Sequence, residues 1–241
     1  VGKNVQLVVD KDAPELNENT FAVKDLNLVA DNGVPLLKNV NFTVRGGEIL
    51  AVAGVQGNGQ TELAETIIGL HPKASGSLML NGTELLGKKT KDVLKSGVGF
   101  VPEDRSTDGL VCSFSVAENL ILDLFDRREF SSAGTLNRGA ISQNADRAVS
   151  EYDIRIGHQN DAAATLSGGN QQKIVVAREL TRDLQLFVAS QPTRGVDVGS
   201  IEFIHKRIVA ERDKGVPVMI VSTELDEVYA LADRIAVFFH G

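Results

Sequence analysis

The chain has 241 residues, 42% of them hydrophobic and 24% charged, with a formal charge of −7. This suits a large domain with an ordinary soluble core, and no Lys/Arg cluster is dense enough to track nucleic acid. The single Cys112 excludes a disulfide framework, and the four histidines stand apart in sequence, without metal-ligand spacing. No apolar run reaches the roughly 20 residues of a membrane helix, and the start lacks the apolar stretch of a signal peptide. A reducing, cytosolic compartment is the default expectation, and both ends read as cut.

Taken in chain order, residues 1–18 are rich in Asp, Glu, Lys and Asn around a short Val5–Val9 strand-like stretch, and read as a linker. Thr20–Val29 alternates in part, and Asn32-Gly33 signals a hairpin before Val40–Val44. Gly46-Gly47 turns the chain into an apolar strand, Ile49–Ala53. Thr61–Leu70 carries Leu63, Ala64, Ile67 and Ile68 at helical spacing, and Gly69 and Pro72 stop it. Ser77–Leu80 followed by Asn81-Gly82 predicts a second hairpin, and Val98–Val101 a short buried strand.

Residues 105–165 read as a helical insert, with helices at Val116–Phe125 and Ile141–Tyr152 joined by a polar loop, Ser131–Gly139. The core then resumes with helices at Gly168–Arg182, Val198–Asp213 and Glu224–Leu231 alternating with strands at Leu186–Ala189, Val216–Val221 and Ile235–Phe239. This alternation predicts an α/β fold with a parallel sheet covered on both faces.

Residues 54–61 read Gly-Val-Gln-Gly-Asn-Gly-Gln-Thr, directly after a strand and before a helix. Successive backbone N–H groups in such a loop can converge on a phosphate, aided by the helix N-terminus. The plainer reading is a tight strand-to-helix turn. Against the pattern G-x-x-x-x-G-K-[ST], Gly54, Gly59 and Thr61 match, while Gln60 stands where the lysine belongs. An amide donates hydrogen bonds without charge, and charge-assisted bonds are roughly twice as strong, so phosphate would be held weakly. The candidate nucleotide-binding residues here are Gly54, Gly57, Asn58, Gly59, Gln60, Thr61 and Glu62, with Thr61 the candidate Mg²⁺ ligand; Glu103 joins them only through a family resemblance.

Downstream, Leu166-Ser-Gly-Gly-Asn-Gln-Gln172 heads an amphipathic helix. Ser167 alone would be an ordinary N-cap. As a run, Leu166, Ser167, Gly168, Gly169, Asn170 and Gln171 resemble the signature motif of ABC-transporter ATPases. Further landmarks fall in order: Pro102-Glu103-Asp104-Arg105 at the Q-loop, Gly195-Val196-Asp197 at the D-loop, and Thr223 where the switch histidine is usual. Glu103-Asp-Arg, Asn170-Gln-Gln-Lys173 and Pro192-Thr-Arg-Gly-Val-Asp-Val-Gly199 resemble the second ATPase domain of fused, two-domain sugar and nucleoside importers, the nucleoside branch being favoured.

The resemblance implies a P-loop NTPase fold of ABC ATPase type, with a mostly parallel sheet, an antiparallel β subdomain and a helical subdomain at about 105–165 within a domain spanning 19–241. It implies ATP and Mg²⁺ as cofactors. The implied partners are an N-terminal ATPase domain of the same parent chain, transmembrane permease subunits and, through the complex, a substrate-binding protein, with no nucleic acid. The implied place is the cytoplasmic face of the cell membrane. Ser190 and Gln191 stand where such ATPases end their Walker B strand in Asp and Glu. Gln60, Ser190, Gln191 and Thr223 each remove a charge or titratable group. Since general-base and electrostatic contributions are worth about 10²–10⁴ in rate each, the domain's own site should be nearly silent, with no intact catalytic residue. The signature would instead complete an ATP site on the partner domain, with Asp197 at the interface. No Tyr, Phe or Trp lies between Phe21 and Phe42, so an adenine-stacking aromatic is missing, and Phe21 reads as a core residue. A non-transport regulatory module on the same fold is the alternative; a stand-alone kinase is disfavoured by the signature and the missing lysine.

Overall fold

The computed structural model describes residues 9–241; the strand expected at Val5–Val9 lies outside them but for Val9. The chain groups into two compact units: Val1–Glu103, Asp183–Pro192 and His205–Gly241 form one, and Asp104–Arg182 with Thr193–Ile204 the other.

In the first unit, β1 (Thr20–Val29) and β2 (Pro35–Arg45) pair antiparallel around a turn at Asn32-Gly33. The partial alternation of β1 has a physical cause. Phe21 and Val23 are buried, then Leu26 and Leu28, so the inward phase changes from odd to even positions. The register shifts between Val23 and Leu26, and Asp25 has φ of 48°. An extra residue at such a bulge flips the following side chains to the other face. Asn41 Oδ1 accepts from Asp25 N at 2.9 Å, and Asn27 Oδ1 accepts from Asn39 N at 2.9 Å, so the backbone groups released by the bulge are paired. Phe21 is fully buried, as a core residue.

The chain continues through β3 (Ile49–Ala53), α1 (Gln60–Ile67), β4 (Ser75–Leu80), β5 (Thr83–Glu84), α2 (Thr90–Lys95) and β6 (Val98–Val101). The sheet β2-β1-β4-β5 is the antiparallel subdomain, and α1 buries Leu63, Ala64 and Ile67.

The second unit follows. A π-helical turn at Arg105–Gly109 precedes α3 (Val116–Asn119), a short hairpin of β7 (Ser131–Ser132) and β8 (Thr135–Leu136), and α4 (Arg138–Glu151). The helix expected at Val116–Phe125 is thus one turn of α-helix followed by turns, and the polar loop carries a hairpin. The short helix is held by a capping box between Ser115 and Glu118, and Asn119, fully buried, bonds Val111 O at 3.0 Å. A 3₁₀ turn at Ala163–Thr165 leads into α5 (Gly168–Leu180), whose residues 172–180 are all buried.

The chain then forms β9 (Leu186–Ser190), α6 (Val198–Asp213), β10 (Val218–Ser222), α7 (Leu225–Leu231) and β11 (Arg234–Val237). Strands β11-β3-β10-β9-β6 make one parallel sheet in the first unit. All residues of β3, β9 and β10 are buried, as their unbroken apolar runs require in a sheet covered on both faces. Residues 9–18 are described too: Lys11 Nζ bonds Leu231 O and Ala232 O at 2.7 and 2.9 Å and pairs with Asp233, and Asn17 Nδ2 donates to Gly215 O at 3.0 Å.

Candidate functional site

The parallel register decides what can meet at the edge of the first unit. Ser222 lies level with Ala53, Val221 with Ser190, and Ala189 with Val101. The residues that follow, Gly54, Thr223, Gln191 and Glu103, therefore leave the sheet at its C-terminal edge. That edge is where parallel α/β sheets take ligands. Four sequence-predicted elements come together there.

The glycine loop is shaped by its backbone. Gly57 and Gly59 have φ of 88° and 108°, in the left-handed region that favours glycine. A Cβ on Gly59 would lie 2.8 Å from Leu36 O, whereas one on Gly57 would meet nothing within 4 Å. The loop is thus tight at its base and open at its crest. The first amides of α1 lack intrahelical carbonyls, as at any helix start, and Glu62 adds an acidic residue to that turn. Asn58 braces the crest, donating to Val55 O at 2.8 Å and accepting from His240 N at 2.8 Å.

Four side chains around the loop, Gln60, Ser190, Gln191 and Thr223, are neutral. Gln60 is buried, and its Nε2 reaches Val55 O at 3.4 Å. Among the described residues its Oε1 has no partner, nor has the buried hydroxyl of Ser190. Gln191, also buried, sits at φ of 48°. Its Nε2 donates to Thr223 Oγ1 at 3.2 Å and its Oε1 accepts from Thr223 N at 3.3 Å. The two substituted positions thus satisfy each other with neutral groups. Thr61 Oγ1 donates to Glu103 Oε2 at 2.9 Å, and Gln56 Nε2 donates to Glu103 Oε1 at 3.1 Å.

The loop fits a phosphate: open crest, helix-start amides and no acidic side chain at Gln60 or Ser190. Mg²⁺ at such a site rests on nucleotide phosphates, waters and one or two protein oxygens, which Thr61 Oγ1 and Glu103 would supply here. Among the described residues no three His, Cys, Asp or Glu side chains gather to hold a metal, and Glu103 is the one carboxylate on Thr61. A cavity of about 360 Å³ lies beside Leu28, Ala30, Leu36 and His71.

The second unit gathers the other predicted residues. Ser167 is the N-cap of α5, accepting from Asn170 N at 3.5 Å and Asn170 Nδ2 at 3.0 Å. Leu166 closes the preceding turn, its N–H donating to Ala163 O at 3.2 Å, and Gln171 Nε2 donates to the same carbonyl at 3.0 Å. A Cβ on Gly169 would run into Asp197 and Ser200, and one on Gly168 into Arg105. The signature glycines are thus places of close approach. Asp197 accepts from Ser200 Oγ at 2.8 Å and Ser200 N at 3.1 Å. These bonds, the hydroxyl first, hold its carboxyl below the usual carboxylate value.

Sequence reasoning gave no role to Arg105, Lys173 or Ser200. Arg105 donates to Arg194 O at 2.8 Å and Gly195 O at 3.3 Å. Lys173, buried in α5, pairs with Asp153 at 3.0 Å and lies 4.7 Å from the centre of the Phe203 ring. Arg105 and Lys173 stand inside the motifs that carry the resemblance; Ser200 had only its i+3 spacing from Asp197 as a signal.

No helix of the described residues is long and apolar enough to cross a membrane. A family model described as ABC transporter matches residues 37–194. The chain is 39% identical over its whole length to the guanosine import ATP-binding protein NupO of Bacillus subtilis, covering 47% of that protein. It is 42% identical to the nucleoside import ATP-binding protein NupA of Lactococcus lactis, covering 48%, and 42% identical to the glucose import ATP-binding protein TsgD13 of Haloferax volcanii, covering 44%. The chain thus spans about half the length of these curated relatives. Among solved structures, a dimeric ATP-binding cassette bound to ADP and Pi superposes with a TM-score of 0.76 at 22% identity, covering 92% of this chain and 95% of that one. A nucleotide-free cassette from an ABC transporter gives 0.74 at 20% identity, covering 92% and 88%. With the antiparallel subdomain and the parallel sheet in place and the family model matching more than half of its length, the chain belongs to the ABC transporter family.

Proposed function

We propose that this chain is an ATP-binding domain of an ABC importer for nucleosides or simple sugars. In this reading it is the second of two such domains in its parent and works at the cytoplasmic face of the membrane with permease subunits and a substrate-binding protein. The import function is supported by the names of the relatives, and the two-domain parent by their double length.

The observation that carries the division of labour is a contrast in charge. Around the glycine loop, Gln60, Ser190, Gln191 and Thr223 are neutral, and Gln191 and Thr223 are spent on each other. At the head of α5, Ser167 is exposed and the Asp197 carboxylate is retained and bonded. The loop holds a nucleotide's phosphates weakly through backbone amides, and Gln191 can orient water but cannot accept its proton. The head of α5 offers helix-start amides and the Ser167 hydroxyl to a phosphate held on the N-terminal domain.

The test is Ser167→Arg in the full-length parent, read as ATP hydrolysis. The expected outcome is abolition of turnover although every residue of this domain's loop is untouched. Unchanged hydrolysis would refute the composite site.

A further inference from the structure

We propose that Asn170 is a positioning residue that fixes the direction of the Ser167 hydroxyl proton, so that the head of α5 presents donors to an anion. This rests on the reading above, in which that helix head meets a phosphate.

The two ends of an amide side chain are told apart by their partners. Here the backbone N–H of Arg155 points at one end of the Asn170 amide at 2.8 Å. A backbone N–H can only donate, so that end is the oxygen. The other end, Nδ2, lies 3.0 Å from Ser167 Oγ and must donate to it. Asn170 N approaches the same oxygen at 3.5 Å. A hydroxyl has two acceptor lone pairs and one proton. With its lone pairs facing Asn170, the Ser167 proton is left to project away from α5, where the residue is exposed.

The segment that orients Asn170 is itself held. Lys173 Nζ bonds Asp153 O at 2.8 Å and Asp153 Oδ2 at 3.0 Å, pinning residues 153–155 to α5. Gln171 does not compete, because its amide is turned back to Ala163 O.

Asn170→Asp is close to isosteric and reverses the proton. Its Oδ1 still accepts from Arg155 N, while its second oxygen accepts the Ser167 proton and turns it inward. An acidic residue in the first turn favours the helix, so the purified parent's melting temperature should hold or rise. Hydrolysis should nevertheless fall roughly 10-fold or more, as expected for losing one donor to a charged group. The added negative charge would also repel phosphate, and a double-mutant cycle separates the two effects. With Ser167→Ala as background there is no proton to turn, so adding Asn170→Asp should cost no more than about 2-fold, whereas charge repulsion would persist in full.

Equal losses in both backgrounds, or no loss in the single variant, would overturn the proposal. If Ser167→Ala and Ser167→Arg both leave hydrolysis intact, the composite-site reading falls and takes this inference with it. If Ser167→Ala is damaging and Asn170→Asp merely adds to it, the inference alone falls.

Discussion

The glycine loop and the head of α5 are both helix N-termini, and they differ in what surrounds them. At the loop, two buried polar atoms, Gln60 Oε1 and Ser190 Oγ, have no partner among the described residues, and beside the head of α5 neither has the buried Arg105 Nε. At α5, Ser167, Asn170, Asp197 and Ser200 are joined by hydrogen bonds and Lys173 is paired. Loop geometry outlasts loop chemistry because the two have different physical supports. Backbone shape comes from glycines at positive φ and from strands locked in the sheet, whereas buried charges need a ligand or partner to repay their desolvation. Neutral residues at Gln60, Ser190 and Gln191 are therefore compatible with the loop's shape, and under the proposed division of labour they weaken its hold on phosphate.

The largest effect that separates the regions is steric. Gly169→Ala forces a Cβ into Asp197 and Ser200, and overpacking of this kind costs about 1–3 kcal/mol. Gly57→Ala meets nothing within 4 Å, so its cost is the left-handed backbone alone, about 1 kcal/mol. Thermal melts of the two variants should rank in that order. Gly57→Ala as damaging as Gly169→Ala would mean that the loop is as closely packed as the signature, and the contrast would be lost.

Next is restoration of the loop's charges. Gln60→Lys replaces a neutral hydrogen bond to phosphate by a charged one, and Ser190→Asp and Gln191→Glu supply carboxylates to the metal shell and the attacking water. A charge-assisted bond exceeds a neutral one by about 1 kcal/mol or more, so calorimetry should show ATP binding tightened roughly 10-fold. Unchanged affinity would mean that the neutral residues do not limit nucleotide binding.

Much of this was legible in the sequence. The strand–helix alternation marked the parallel sheet because its strands are buried on both faces and read as unbroken apolar runs. The hairpins announced themselves through Asn32-Gly33 and Asn81-Gly82. What was hidden depends on side chains finding distant partners. The change of inward phase in β1 follows from the bulge at Asp25, which no alternation rule locates beforehand. The helix expected at Val116–Phe125 stops after a turn, although its apolar residues Leu120, Ile121 and Leu124 are buried, since turns can bury such residues as well as a helix. At the candidate site, the mutual bonding of Gln191 with Thr223 and the seat of Arg105 on the Gly195 turn join residues whose proximity spacing does not encode.

The smallest effect is also the most selective. Ser200 donates twice to Asp197 and holds its carboxyl below the ordinary aspartate value. A carboxylate with a lowered folded pKa contributes stability that is present above the unfolded pKa and lost as pH falls through the folded one. Wild type should therefore exceed Ser200→Ala in melting temperature near neutrality. The gap should narrow as pH drops below about 4, the ordinary aspartate value. It will be modest, because Asp197 is exposed and such interactions are screened by solvent. At the loop, the bonds between Gln191 and Thr223 contain no titratable group, so the gap between wild type and Thr223→Val should stay level over the same range. A gap for Ser200→Ala that is equally level would mean that the Asp197 carboxylate draws nothing from Ser200, and this pairing would no longer distinguish the signature region from the loop.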